Sequence, residues 1–227
     1  MSELWSDMGP QLWPAFWVTL KLTFFSAIGA MIWGTILAAM RVSPVPVMRG
    51  FAEVYVNIVR NTPLTLIVLF CSIGLYQNLG LALAPDNANF IKNNNFWLAV
   101  LAFILYTATF VCETLRSGFN TVPIGQAEAA RSLGLTFPQV LGIIVLPQAI
   151  RSVIGPLGSV LIALTKNTTI ASVIGVAEAS LLMKEEIETY SDQIVAIFVI
   201  IAAGFMIITL TEGFIFGYLA KRLAVKR

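Results

Sequence analysis

Several polar residues in this 227-residue chain stand among apolar neighbours, and their types suggest particular chemistry. Arg60 opens an apolar run and is followed by Asn61, Thr62 and Pro63. A guanidinium there can grip a carboxylate through two parallel hydrogen bonds, or pair structurally with Glu53 or Glu113. It can also snorkel toward the nearer water boundary. A structural or gating role is favoured over direct contact with a solute. Pro63 removes a backbone donor and leaves a helix carbonyl free to line a polar path. Lys166, Asn167, Thr168 and Thr169 form the densest polar cluster beside an apolar run, suited to a gate or solute vestibule. The plainer reading of Lys166 is a cation that complements the negative end of a helix dipole. Glu113 and Arg116 are three residues apart and can pair on one helix face. Lys21 and Glu212 lie within apolar runs. Glu212 has no cation four residues on and is expected to pair across helices or subunits.

Other chemistry is excluded. The chain has no histidine, so neither a histidine base nor a histidine metal ligand exists, and no metal site is expected. Cys71 and Cys112 sit in apolar runs without a neighbouring Cys or His and read as packing residues. No GxxxxGK[ST] phosphate loop occurs, so ATP hydrolysis by this chain is not expected, and no residue is assigned as catalytic. The net charge of +2 gives no reason to expect a nucleic-acid partner.

The elements that must position these residues are membrane helices. The chain is 58% hydrophobic and 11% charged, with a mean hydropathy of +0.85, too little charge to cover a soluble domain. The surplus apolar surface must face lipid. A spanning helix needs about 20 mostly apolar residues. Five stretches qualify, at about 13–40, 58–83, 95–116, 146–166 and 193–219. No barrel-like alternation is present. The expected fold is therefore an all-α integral membrane bundle of five transmembrane helices, one domain over 1–227. Glu3 and Asp7 stand where a signal peptide would be basic, so the first apolar segment reads as a retained span. Gly213 and Gly217 make a small-xxx-small pair that could allow close helix packing. The segment KNTTIASVIGVAEAS after the fourth span is too short to cross again. It reads either as a re-entrant or interfacial piece or as an amphipathic loop.

Lysine and arginine set the orientation. With the N-terminus outside, Arg41, Arg49, Arg116, Arg131, Arg151, Lys221, Arg222, Lys226 and Arg227 face the cytoplasm. Lys92, Lys166 and Lys184 face outward, a clear positive-inside bias. The C-terminus is then cytoplasmic.

A cytoplasmic loop, 119–147, joins the third and fourth spans. Ala129, Ala130 and Leu133 lie at helical spacing and can present a small apolar stripe to a partner. Gly134 permits the backbone conformation that ends a helix. Pro138, after Phe137, suits the first turn of the next one. Within this loop, EAARSLGLTFPQVLGIIVLPQAI resembles the EAA loop of ATP-binding-cassette importer permeases. Glu128, Ala129, Ala130, Gly134, Ile144, Leu146 and Pro147 stand at the family's spacing. RNTPL at 60–64 and LTKNTTIASVIGV at 164–176 resemble the polar amino-acid branch, the glutamate, glutamine and histidine type.

The resemblance implies a mechanical role. The loop would dock on an ATP-binding-cassette ATPase dimer, a separate polypeptide that uses ATP and Mg, while this chain binds no cofactor. A second permease subunit, identical or related, would complete the path. An extracytoplasmic amino-acid-binding protein would deliver solute, and the chain would sit in the inner or plasma membrane of a bacterium, surrounded by lipid. A polar amino acid is the expected cargo, with a slight lean to glutamate. The alternatives are a stand-alone channel or proton-coupled carrier, which would leave the loop without a purpose, and a membrane enzyme, which the lack of histidine disfavours. No internal repeat of the kind found in inverted-repeat carriers is visible.

Overall fold

The computed structural model describes residues 2–136 and 139–223, and every regular element among them is helical. Helix α1 (Ser2–Val42) has 41 residues, which at 1.5 Å each makes it about 60 Å long. That is twice the hydrocarbon thickness of roughly 30 Å. Its start precedes the apolar run for a packing reason. Leu4 and Met8 are buried with Leu182, Ile197 and Ile201, so tertiary contact and not lipid sets that end.

The run expected to cross at 58–83 is not one straight helix. Helix α2 (Pro46–Asn61) stops at Thr62, which is extended with ψ 132. Helix α3 (Leu64–Leu69) then begins and continues as a π-helix over Phe70–Asn78. The two parts meet at 106°. Pro63 causes the break, since its ring forbids the helical hydrogen bond and biases the preceding residue to extended backbone.

Helix α4 (Phe90–Asn120) is the centre of the bundle and packs on α1 and on α6 (Leu146–Asn167). Leu98, Phe103, Ala108 and Cys112 on α4 are buried. Close approach needs glycine at Gly34 of α1, where a Cβ would lie 2.8 Å from the Ala108 carbonyl oxygen. Between α4 and α6 come the short helix α5 (Ile124–Ser132) and a π-helical segment, Val140–Val145.

Past α6 the chain tightens into a 3-10 helix, Thr168–Ile174, and turns at Gly175 with φ +74. It then enters α7 (Ala179–Thr189). Ala171, Ser172, Ile174, Val176 and Ala179 are buried, so this stretch is a packed fold-back and not an exposed amphipathic loop. A 3-10 turn, Ser191–Gln193, leads to α8 (Ile194–Leu223).

Glu3–Val42, Phe90–Asn120, Val140–Ile174 and Ser191–Leu223 are long and apolar enough to cross a membrane, and counting the bent pair as one crossing gives five. Much of α8 presents exposed apolar side chains, among them Val195, Phe198, Ile207, Leu210 and Phe214. In water such a face would be very unfavourable, whereas lipid covers it at no cost. The Gly213 and Gly217 pair makes no tight contact among the described residues. A Cβ at Gly213 would meet only Ile162 at 3.8 Å, and Gly217 has nothing within 4 Å. Cys71 and Cys112 are both buried and free.

Candidate transport and coupling sites

Arg60 occupies the last turn of α2, directly before the break. Beyond it, the side chains of Asn61 and Thr62 turn back on their own helix. Asn61 donates to the Asn57 carbonyl at 2.7 Å and Thr62 to the Ile58 carbonyl at 2.9 Å. Both are local side-chain-to-backbone bonds within the last turns of α2. Arg60 makes no ion pair among the described residues with either expected partner: Glu113 pairs with Arg41 and, at 3.0 Å, with Arg116, and Glu53 forms no ion pair among them. The guanidinium instead lies over the Phe110 ring, 5.9 Å from its centroid, a favourable cation–π arrangement.

Phe110 leads from Arg60 to a cavity. A space of about 300 Å³ between α4 and α6 is lined by Tyr106, Thr107, Phe110, Ser159, Leu164 and Asn167, among others. Its volume is at the small end for ligand sites and fits a molecule of amino-acid size. Two aromatic rings, 5.1 Å apart, form one wall. Three hydroxyls, of Tyr106, Thr107 and Ser159, and the Asn167 amide supply hydrogen-bonding groups. Arg60 and Asn167, over a hundred positions apart in sequence, are thus both brought to the surroundings of one ring. Sequence reasoning missed Tyr106, Thr107, Phe110 and Ser159. Their one visible signal is that 106, 107 and 110 share a helical face at spacings of three and four.

The other members of the Lys166–Thr169 cluster are used differently. Lys166 is exposed at the end of α6. Thr168 is buried and donates to the Thr165 carbonyl at 2.7 Å, and Thr169 donates to the Lys166 carbonyl at 2.9 Å. Both hydroxyls serve the change from α to 3-10 geometry. Glu212 accepts from the Thr165 hydroxyl at 2.7 Å, a pairing across helices. Its other oxygen is buried without a partner among the described residues. Lys21 and Glu212 line one apolar groove with Trp17, Phe24 and Phe216, and the Lys21 ammonium rests 5.7 Å from the Trp17 ring centroid.

At the far end of the bundle, α5 displays part of the loop that sequence singled out. Glu128, Ala129 and Gly134 are exposed, Leu133 is 83% exposed, and Ala130 is 6% exposed, turned into its own chain. The helix ends in a paired cap, with the Leu135 N–H on the Ala130 carbonyl (3.2 Å) and the Gly134 N–H on the Arg131 carbonyl (2.9 Å). This double bond pattern requires a left-handed residue, and Gly134 supplies it with φ +87. No described residue lies within 4 Å of where its Cβ would be, so none of them crowds the position. Gln148 donates to Gln126 at 2.8 Å and ties α5 to α6. Ile144 is half-buried in the π-helical segment, while Leu146 and Pro147 are exposed at the start of α6. The helix start expected at Phe137 and Pro138 lies outside the described residues.

Residues 30–225 match the family described as binding-protein-dependent transport system inner membrane component. The chain belongs to this family. It is similar to the glutamate transport system permease protein GluC of Corynebacterium glutamicum, 64% identical over 228 residues and covering 100% of both chains. It is 31% identical, over 97% of its length and 98% of the other, to the glutamate/aspartate import permease protein GltK of Escherichia coli O157:H7. Among solved structures, an amino acid ABC transporter crystallised with histidines matches with a TM-score of 0.84 and 29% identity, covering 96% of each chain. A subunit of the MetNI methionine ABC transporter shares the fold at TM-score 0.72 and 17% identity, over 96% of this chain and 99% of that one. As a family member this chain is a multi-pass membrane permease subunit of an ATP-binding-cassette importer.

Proposed function

We propose that this permease forms the translocation path for glutamate. The observation that carries the reading is full-length identity of 64% to a glutamate transport permease. The site chemistry agrees with it. Arg60 would hold a carboxylate bidentately from above the Phe110 ring, while Asn167, Thr107 and Ser159 offer hydrogen bonds around the cavity.

Energy would come from a separate ATPase dimer that uses ATP and Mg, docked on the loop 119–147. Leu133, Ala129 and Glu128 are the exposed face available to it, with Ile144, Leu146 and Pro147 at the loop's return. Ala130 would support α5 from inside. A second permease subunit and an extracytoplasmic amino-acid-binding protein complete the assembly, and the N-terminus lies outside. The test is uptake of labelled glutamate by cells lacking their own permease, with the ATPase and binding protein co-expressed. Uptake that needs all components and is outcompeted by unlabelled glutamate supports the reading. Uptake that persists without the ATPase would point to a stand-alone carrier.

A further inference from the structure

The fold-back between α6 and α8 turns on a buried acid. Glu178 is 0% exposed. Its carboxyl oxygens accept from the backbone N–H of Ser180 at 2.8 Å and of Leu181 at 3.0 Å, capping α7. The turn around it is seated by bonds from other elements. The Ala179 N–H donates to the Thr19 hydroxyl of α1 at 3.3 Å, and the Asn95 amide of α4 donates to the Ile174 carbonyl at 2.7 Å. Lys184 closes the fold-back on itself by donating to the Ser172 hydroxyl at 2.7 Å. Gly175, with φ +74, makes the left-handed turn just before it.

A cavity of about 210 Å³ adjoins Glu178 and is lined also by Gln11, Pro14, Lys92 and Glu185. The charged groups that face the acid are thus Lys92 from α4 and Lys184 and Glu185 from α7, while α1 presents Gln11 and Thr19. Neither lysine forms an ion pair with it among the described residues. Burial outweighs the two cap bonds and the Lys184 charge, and pushes the carboxyl up to about 7.

We propose that Glu178 is a latch for the fold-back: neutral, it stays seated and holds the turn against α1 and α4, and ionised, it is drawn toward water through the adjoining cavity and the turn opens. For transport this makes Glu178 a positioning residue of the outer face, a consequence that rests on the permease reading, whereas the latch itself does not. The sign follows from linkage. The seated carboxyl binds its proton more tightly than an exposed one, so seating is strongest at acid pH. It weakens as pH rises from the ordinary 4.5 toward about 7, and changes little above that.

The experiment labels a cysteine with a water-soluble maleimide in the assembled transporter in lipid nanodiscs. Ser180→Cys reports on the seat, and its rate is divided by that of Asp86→Cys in an exposed loop, which removes the thiol's own pH dependence. Between about pH 5.5 and about 8 the ratio should rise about 30-fold, and in Glu178→Gln it should stay low and flat. Hydrogen exchange over 178–183, corrected for the intrinsic rate, should follow the same pattern without any cysteine. A flat wild-type profile overturns the latch. So does a profile that Glu178→Gln retains, which would place the titration on another group such as Glu186, a second buried acid on α7. Neither readout needs solute or ATP, so a failure of glutamate uptake would sink the permease reading and leave this result standing.

Discussion

Arg60 belongs by its backbone to one helix and by its cation to the ring of another, 5.9 Å away. If it holds the solute carboxylate, Arg60→Ala should raise the KM for glutamate uptake about 10- to 100-fold, the value of roughly 1.5–3 kcal/mol for a charged hydrogen bond. Arg60→Lys should rescue poorly, because the planar two-point grip is lost. Phe110→Leu should fall between, since it removes the platform under the guanidinium and leaves the charge. Wild-type uptake by Arg60→Ala at normal expression would remove this residue from the path. At this scale the sequence showed which residues were unusual but not what they were used for. Asn167 and Thr168 are neighbours, yet one lines the cavity and the other serves a backbone carbonyl. Tyr106 and Ser159 drew no notice because aromatic and hydroxyl residues are ordinary in membrane helices. Only the packing of α4 on α6 gives them a common cavity.

Helices were legible where length and apolarity alone define them, and less so where packing or a single residue decides. The four long helices follow from runs that must bury about 20 residues in lipid. The early start of α1 follows instead from Leu4 and Met8 meeting α7 and α8, which no local pattern encodes. Pro63 was legible as a residue that frees a helix carbonyl, but not as the site of a 106° bend that breaks the 58–83 run. Two glycines separate the roles of these elements. At Gly34 the obstacle is internal, so Gly34→Leu should push α1 from α4 and destabilise by about 1–3 kcal/mol, read as a lower midpoint of thermal inactivation in detergent. At Gly134 no described residue comes within 4 Å of a Cβ, and the positive φ is what calls for glycine. Gly134→Asp should therefore cost the fold only about 1 kcal/mol and leave expression and melting nearly unchanged. Uptake should nevertheless fall to background, with the ATPase lost or uncoupled. Gly134→Asn is the sharper variant, because asparagine tolerates the left-handed region. Failure of the asparagine variant as well would mean that the partner approaches too closely for any side chain. Normal uptake by Gly134→Asp would remove the loop from coupling.

The whole molecule sorts its loops onto two ends, and the packing does this without reference to any membrane. The N-terminal ends of α1 and α8 lie together, since Leu4 and Met8 share a cluster with Ile197 and Ile201. The fold-back joins them through Leu182 of α7 and the Asp7–Tyr190 hydrogen bond. The 87–95 stretch belongs to the same end, because Asn87, Lys92 and Asn95 enclose a cavity with Gly175 and Ala177. The opposite end collects the C-terminal end of α1, tied to α4 by Arg41 and Glu113, and the turn at Thr121, tied to α6 through Ser152. It follows that these groups must move across the bilayer as sets. A reporter active only outside the cell should work when inserted at Asp86 or after Thr189, and should be silent at Ile124 or after Leu223. The pattern discriminates more than orientation. Activity at Ile124 and Leu223 with silence at Asp86 and Thr189 would invert the molecule and keep the fold. Activity at Asp86 with silence at Thr189 would mean that the fold-back and the 87–95 stretch lie on different sides, which the shared cavity forbids. That result would separate Glu178 from Lys92 and break the bundle as described.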